Sequence, residues 1–132
     1  MRISRQLLDE IVAQARAEAP DECCGLVGTR DGEAVRLLKL RNAAASPLRY
    51  EIDPSDQLRA FDELDDAGLD LGIIYHSHTR SAPEPSQTDI NLARYPDSLY
   101  MIVGVAGPED DVRLWRIADG QVAQTPFEVV ES

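Results

Sequence analysis

The segment that most constrains this chain is Leu71-Gly72-Ile73-Ile74-Tyr75, an apolar run without alternation. Alternating strands bury one face. An uninterrupted run reads as a strand buried on both faces, so the sheet that contains it needs cover on each side. Candidate cover is present. Residues 4–18 place Leu7, Leu8, Ile11, Val12 and Ala15 three and four apart, with Ser4 able to cap the first turn and Pro20 ending the helix. Asp53-Pro54 is an N-cap followed by a proline at the first helical position; Leu58, Phe61 and Leu64 form a stripe, and Gly68 closes a second helix. Residues 86–94 read as a short third helix, with Ile90, Leu92 and Ala93 as its apolar positions.

Strand signals fill the remaining chain. Residues 23–29 and 34–40 flank Asp31-Gly32, a strong hairpin turn, and a brief strand is expected at 49–52. Residues 99–105, 112–117 and 122–129 follow as an antiparallel meander with a turn at Asp119-Gly120, the last strand marked as an edge or interrupted strand by Pro126. The expected fold is α/β: a single domain over 1–132, with a curved mixed or antiparallel sheet flanked by helices. Trp115 and Phe61 read as core residues.

Charge narrows the partners. Thirteen Lys and Arg against 24 Asp and Glu leave a formal charge of −11, which repels phosphate backbones and anionic lipid. Neither nucleic acid nor a membrane surface is an expected partner. Cys23 and Cys24 are sequence neighbours whose side chains point to opposite faces of a strand, so the reading is two reduced thiols in a reducing compartment. With no signal-peptide core at the N-terminus, a cytoplasmic protein is expected.

The two histidines of the chain, His76 and His78, stand at the end of the buried run. On a strand, i and i+2 project from one face, about 6.6 Å apart along the backbone, and two imidazoles can converge from there on one ion. A loop with prolines at 83 and 85 then returns Asp89. Two imidazole nitrogens and one carboxylate leave a tetrahedral Zn²⁺ one open position for water, the ligand count of a catalytic site. Each half of the pattern has a structural reading as well: paired histidines at a strand end are common on surfaces, and Ser86-x-x-Asp89 is a capping box. Ser86 can serve as cap and as site residue at once.

Taken together, His76-x-His78-x7-Ser86-x2-Asp89 resembles the signature of the JAMM (MPN-plus) zinc metalloproteases, and Pro20-Asp21-Glu22-Cys23-Cys24-Gly25 is similar to that family's segment before the first hairpin. The resemblance covers nearly the whole chain. It implies a cytidine-deaminase-like sheet with helices, one catalytic Zn²⁺ held by His76, His78 and Asp89, Glu22 as general base and Ser86 as oxyanion stabiliser. A carboxylate in the first of these roles suits the chemistry, since the attacking water loses a proton and the departing amine gains one. The residues alone do not choose Glu22 from the other acids; Asp21 and Glu84 stay as weaker candidates. Cys24 reads as buried packing. Cys23 reads equally as packing or as a thiol near the site, and no histidine is left over to activate it.

JAMM enzymes cleave after the C-terminal glycines of ubiquitin-like proteins, whose extended tails can add to a sheet edge and thread a narrow channel. Tyr75-His76-Ser77-His78-Thr79, Arg41-Asn42-Ala43 and Glu128-Val129-Val130-Glu131 resemble the compact bacterial branch that releases cysteine from a sulfur-carrier adduct. The implied partner is a ubiquitin-like sulfur-carrier protein ending in Gly-Gly, with a homodimer compatible with the chain. The alternatives are an isopeptidase acting on another ubiquitin-like protein or carrier, and a non-catalytic metal-binding assembly module. Arg49 and Arg80 are candidate carboxylate partners for a cysteine leaving group, or solvated surface residues. Thr79 stands where many relatives carry proline, which predicts a softer entry to the loop.

Overall fold

The computed structural model describes residues 1–131. In chain order the elements are β1 (Arg2–Ser4), α1 (Arg5–Glu18), β2 (Cys24–Arg30), β3 (Glu33–Leu40), α2 (Pro54–Ala67), β4 (Asp70–His78), α3 (Gln87–Leu92), β5 (Leu99–Gly104), β6 (Asp111–Ala118), β7 (Gln121–Thr125) and β8 (Glu128–Val130). The eight strands form one mixed sheet in the order β7-β6-β5-β4-β2-β3-β1-β8. β4 lies inside it, antiparallel to β2 and parallel to β5, with α3 in the crossover between the two parallel strands.

Local signals act as expected at the helix ends. The Ser4 hydroxyl accepts from Leu7 N–H, the Asp53 carboxylate accepts from the N–H groups of Ser55 and Asp56, and Gly68 closes α2 in the left-handed region with φ of 67°. The sheet's two apolar faces separate by strand parity. Val27, Ile73, Tyr75, Met101 and Val103 pack with Leu8, Ile11 and Ala15 of α1. Leu26, Ile74, Tyr100, Ile102 and Trp115 pack with Ala60 of α2, and Phe61 of α2 and Ile90 of α3 lie against their edge. This double cover is what the unalternated run of β4 requires.

Between sheet and α1 runs one buried polar link: Tyr75 O–H donates to Gln14 Oε1 at 2.5 Å, and Gln14 Nε2–H donates to the Cys24 carbonyl at 3.1 Å. The Tyr75 ring passes directly over Gly25, where a Cβ would collide with it. Only glycine leaves that space.

Three expectations change. Residues 49–52 form no strand; among the described residues their sheet-type pairing is a single bridge, Asn42 to Ile52. α3 ends at Leu92, not at 94. The strand expected over 122–129 is two strands on opposite edges of the sheet: β7 pairs with β6, whereas β8, past Pro126, crosses to pair in parallel with β1, a three-residue strand with no periodic signal of its own. A proline lacks the N–H that would continue β7, so the chain leaves that edge there.

Candidate metal centre

Strand parity places the site. Ile74, His76 and His78 project from the face that carries α3, while Tyr75 and Ser77 project toward α1. The β2–β4 register sets Cys24 opposite His76, which leaves Glu22, two residues before Cys24, on the same face as the histidines. Cys23 N–H donates to Ser77 Oγ at 2.8 Å, so the residue between the two histidines fastens the chain next to Glu22.

α3 supplies the third group. Asp89 N–H donates to Ser86 Oγ at 3.0 Å and Ser86 N–H donates to Asp89 Oδ2 at 2.9 Å, a complete capping box. The same carboxylate faces the histidines, with His78 Nε2 2.9 Å from Oδ2 and His76 Nε2 3.2 Å from Oδ1; the two Nε2 atoms are 3.3 Å apart. Tetrahedral zinc with ligand distances of about 2.0–2.1 Å has ligand-to-ligand edges of about 3.3–3.4 Å. With 3.3 Å between the two nitrogens and 2.9 and 3.2 Å from them to the two different carboxylate oxygens, this triangle of side chains could close on such an ion.

Supports beyond the triangle are specific. His78 Nδ1–H donates to the Ala82 carbonyl at 2.8 Å, which directs Nε2 inward toward Asp89, where it could serve a metal ion. The loop bearing Ala82 is itself held, by Trp115 Nε1–H to the Pro83 carbonyl at 3.0 Å and by Arg113 to Glu84 at 3.1 Å. Trp115 is thus core, as expected, with a second duty at its polar end. The pairing with Arg113 also occupies exposed Glu84, one of the weaker acid candidates. The loop entry is not soft: Thr79 Oγ1–H donates to the Pro20 carbonyl at 2.8 Å and ties the entry to the segment before Glu22.

Asn42 is the residue that sequence reading missed as a hub. Its Nδ2 donates to the carbonyls of Glu22 (2.9 Å) and Arg49 (3.0 Å), and its Oδ1 accepts from the N–H groups of Ala44 (3.0 Å) and Glu51 (2.9 Å). One buried amide thereby binds the 43–51 loop to the backbone of Glu22. No periodicity marks such a residue, because all its partners lie in irregular chain. Asn42→Ala removes four bonds and orphans buried backbone groups; we expect a loss of about 2–4 kcal/mol in urea unfolding.

Electrostatics suit metal binding and proton transfer. Burial pushes the Glu22 carboxyl up to about 7, with the His78 charge opposing and the Asp89 charge adding to the rise. Its Oε1 has no hydrogen-bond partner among the described residues. A carboxyl near neutrality is where a general base works best. Burial also lowers the pKa of His76 and keeps the ring neutral, as a ligand must be. For His78 burial again pulls downward, but hydrogen bonds to Asp89 and Ala82 prevail and the net shift is up. Burial of Asp89 is likewise overcome, by hydrogen bonds from both histidines and the Ser86 amide, and its carboxyl sits below the usual range. Cys23 and Cys24 are free and fully buried, and burial pushes their thiols up to about 11 and about 12; neither is a thiolate at neutral pH.

Beside the triangle opens a groove of about 370 Å³, lined by Arg49, Tyr50, Glu51, Phe61, Tyr95 and Tyr100 among others. Phe61 meets Tyr95 edge to face, with centroids 6.0 Å apart, and is both core edge and groove wall. Arg49 lies in the groove, whereas Arg41 turns to Asp53 and Asp56.

Two histidines and a carboxylate that could hold a metal ion, with a near-neutral glutamic acid beside them, share one face of a mixed sheet. The model for prokaryotic homologs of the JAB domain matches residues 4–118, and the chain belongs to that family. It is a JAMM-type peptidase. The chain is 38% identical over 132 residues to the CysO-cysteine peptidase of Mycobacterium tuberculosis, covering 98% of this chain and 90% of that one. It is 40% identical over 121 residues to a probable TtuB-protein conjugate cleaving protease of Thermus thermophilus, covering 90% and 77%. A solution structure from Desulfitobacterium hafniense superposes with a TM-score of 0.88 at 30% identity, covering 99% and 93%. A structure described as a metalloprotease-like zinc site in the proteasome and signalosome shares the fold, with a TM-score of 0.62 at 22% identity, covering 99% and 98%.

Proposed function

We propose that this protein is a zinc-dependent peptidase that hydrolyses the amide bond after the C-terminal glycine of a ubiquitin-like sulfur-carrier protein and releases cysteine in the cytoplasm. The observation that carries the reading is the convergence of His76, His78 and Asp89, at zinc-compatible separations, beside the buried carboxyl of Glu22. His76 and His78 would hold the ion through Nε2 and Asp89 through its carboxylate. Zinc bound there would polarise the scissile carbonyl and acidify water at neutral pH.

The chain's own residues account for the other requirements. Glu22 takes a proton from the attacking water and delivers it to the departing amine as the C–N bond breaks, a double duty suited to a carboxyl with a pKa of about 7. The Ser86 oxygen accepts at the cap of α3, and its own proton is available to the oxygen of the tetrahedral intermediate. The groove is lined by residues 49–52, and the backbone of that segment is available to an extended tail for strand-like addition.

Support for the substrate class comes from the Mycobacterium tuberculosis relative, named for a carrier–cysteine bond, and the Thermus thermophilus relative, named for carrier–protein conjugates. The test is direct. Zinc-loaded protein is incubated with a Gly-Gly-ended carrier joined by amide to cysteine, and with the same carrier joined to a lysine side chain; products are read by mass spectrometry. Rapid loss of cysteine, stopped by a chelator, is expected. Preferential cleavage of the lysine conjugate would transfer the assignment to the isopeptidase alternative, and stoichiometric zinc without turnover on either would support the assembly module.

A further inference from the structure

The two histidines of the centre are supported unequally. His78 has its Nδ1–H on the Ala82 carbonyl, the usual way in which a ligating imidazole is oriented. His76 has nothing comparable. It is 1% exposed, and its Nδ1 has no hydrogen-bond partner among the described residues. No hydrogen bond at Nδ1 fixes the rotation of that ring about its Cβ–Cγ bond, so packing has to do so.

What meets His76 is the face of Tyr50. The two rings stack with centroids 4.5 Å apart and planes inclined by 23°. Tyr50 is itself held from both sides along the chain: the Arg49 carbonyl accepts from Asn42 Nδ2, Glu51 N–H donates to Asn42 Oδ1, and Ala43 N–H donates to the Glu51 carbonyl at 2.7 Å. Such clamping matters because residues 49–52 have no sheet ladder to hold them. A side chain on a loose loop could not fix a ligand. Tyr50, bracketed by a buried amide that also grips Glu22, can.

We propose that Tyr50 is a positioning residue for the metal centre: its ring face does for His76 what the Ala82 carbonyl does for His78, preventing rotation of the imidazole and keeping Nε2 aimed at the ion. The inference rests on the metal-binding reading above. Because Tyr50 also lines the groove, the same ring is the point where groove and centre touch. The planar face, not the hydroxyl, is the working part, since flat rings in offset contact block each other's rotation.

Purified protein stripped of metal and titrated with Zn²⁺ against a chromophoric chelator tests this, with Co²⁺ absorption spectra reporting ligand geometry. Tyr50→Phe keeps the face and should bind Zn²⁺ within about twofold of the parent chain, with an unchanged cobalt spectrum. Tyr50→Leu keeps apolar cover without the flat face and should bind about 10- to 100-fold more weakly, the loss typical of removing an outer-shell support, with an altered cobalt spectrum. Should Tyr50→Leu not fold, Tyr50→Met carries the same comparison. Tyr50→Leu or Tyr50→Met with parental affinity and spectrum overturns the proposal while leaving the metal reading intact, as does Tyr50→Phe losing as much as they do. A parent chain that takes up no stoichiometric zinc overturns both readings.

Discussion

Glu22→Gln is expected to abolish turnover, leave zinc bound, and make the metal-free protein more stable above neutral pH. Activity should fall by about 10²–10⁴-fold, the contribution of a positioned general acid–base. The stability gain follows from the sign of the pKa shift. In the unfolded chain the carboxyl ionises near 4.5; in the folded protein burial delays ionisation to about 7. Between those values the folded state binds the extra proton, so stability is full below pH 4.5 and declines as pH rises through 7. Above 7 a charged carboxylate with an unpartnered oxygen is buried at a cost that glutamine avoids. The Glu22→Gln variant should therefore match the parent near pH 4 and exceed it by about 1–2 kcal/mol at pH 8 in urea unfolding. Parental turnover would remove Glu22 from the chemistry. A stability difference that does not change with pH would remove the perturbed carboxyl.

The second large effect separates the two duties of Asp89. Asp89→Ala deletes the proposed ligand and breaks the capping box; Asp89→Asn retains an oxygen for the Ser86 amide and loses the charge. Both should weaken zinc binding by more than about 100-fold, since loss of an outer-shell partner alone costs 10–100-fold. In the metal-free protein they should differ. The Asp89 carboxyl is held low, so its stabilisation is present above about pH 3.8 and is lost as pH falls further; His78 is held high, so its share is lost as pH rises through its raised value. The ionic part is thus greatest between the ordinary Asp89 value of 3.8 and the raised His78 value, and both variants lose it there. Above the raised His78 value the ionic part has faded, and Asp89→Ala alone should remain about 1 kcal/mol less stable, the worth of a cap. Equal stability of the two variants above that value would show that the cap contributes nothing.

Legibility follows the distance between partners in the chain. His76 and His78 are two residues apart on a strand, and Ser86 and Asp89 are three apart at a helix start, so strand parity and capping geometry relate each pair without further knowledge of the fold. Glu22 is reached through resemblance and not through its own surroundings. Its position depends on the β2–β4 register, formed between segments far apart in the chain. Asn42 and Tyr50 lie in irregular chain, where no period marks which side chain turns inward; Asn42 resembles any loop asparagine until its four partners are in place. Thr79 reads as a loss of stiffness in the sequence, because its bond to Pro20 spans 59 residues.

By itself, then, the sequence determined a doubly covered central strand, the helices that cover it, the pairing of His76 with His78 on one strand face and the pairing of Ser86 with Asp89 at a helix start, since each follows from interactions within one turn or one strand. Only the tertiary structure decided that Pro126 sends the last strand to the opposite edge beside β1, that Glu22 is buried enough to titrate near neutrality, and that Asn42 bonds the Glu22 backbone while Tyr50 stacks on His76. Burial and long-range register set those properties, and neither exists until the sheet has closed.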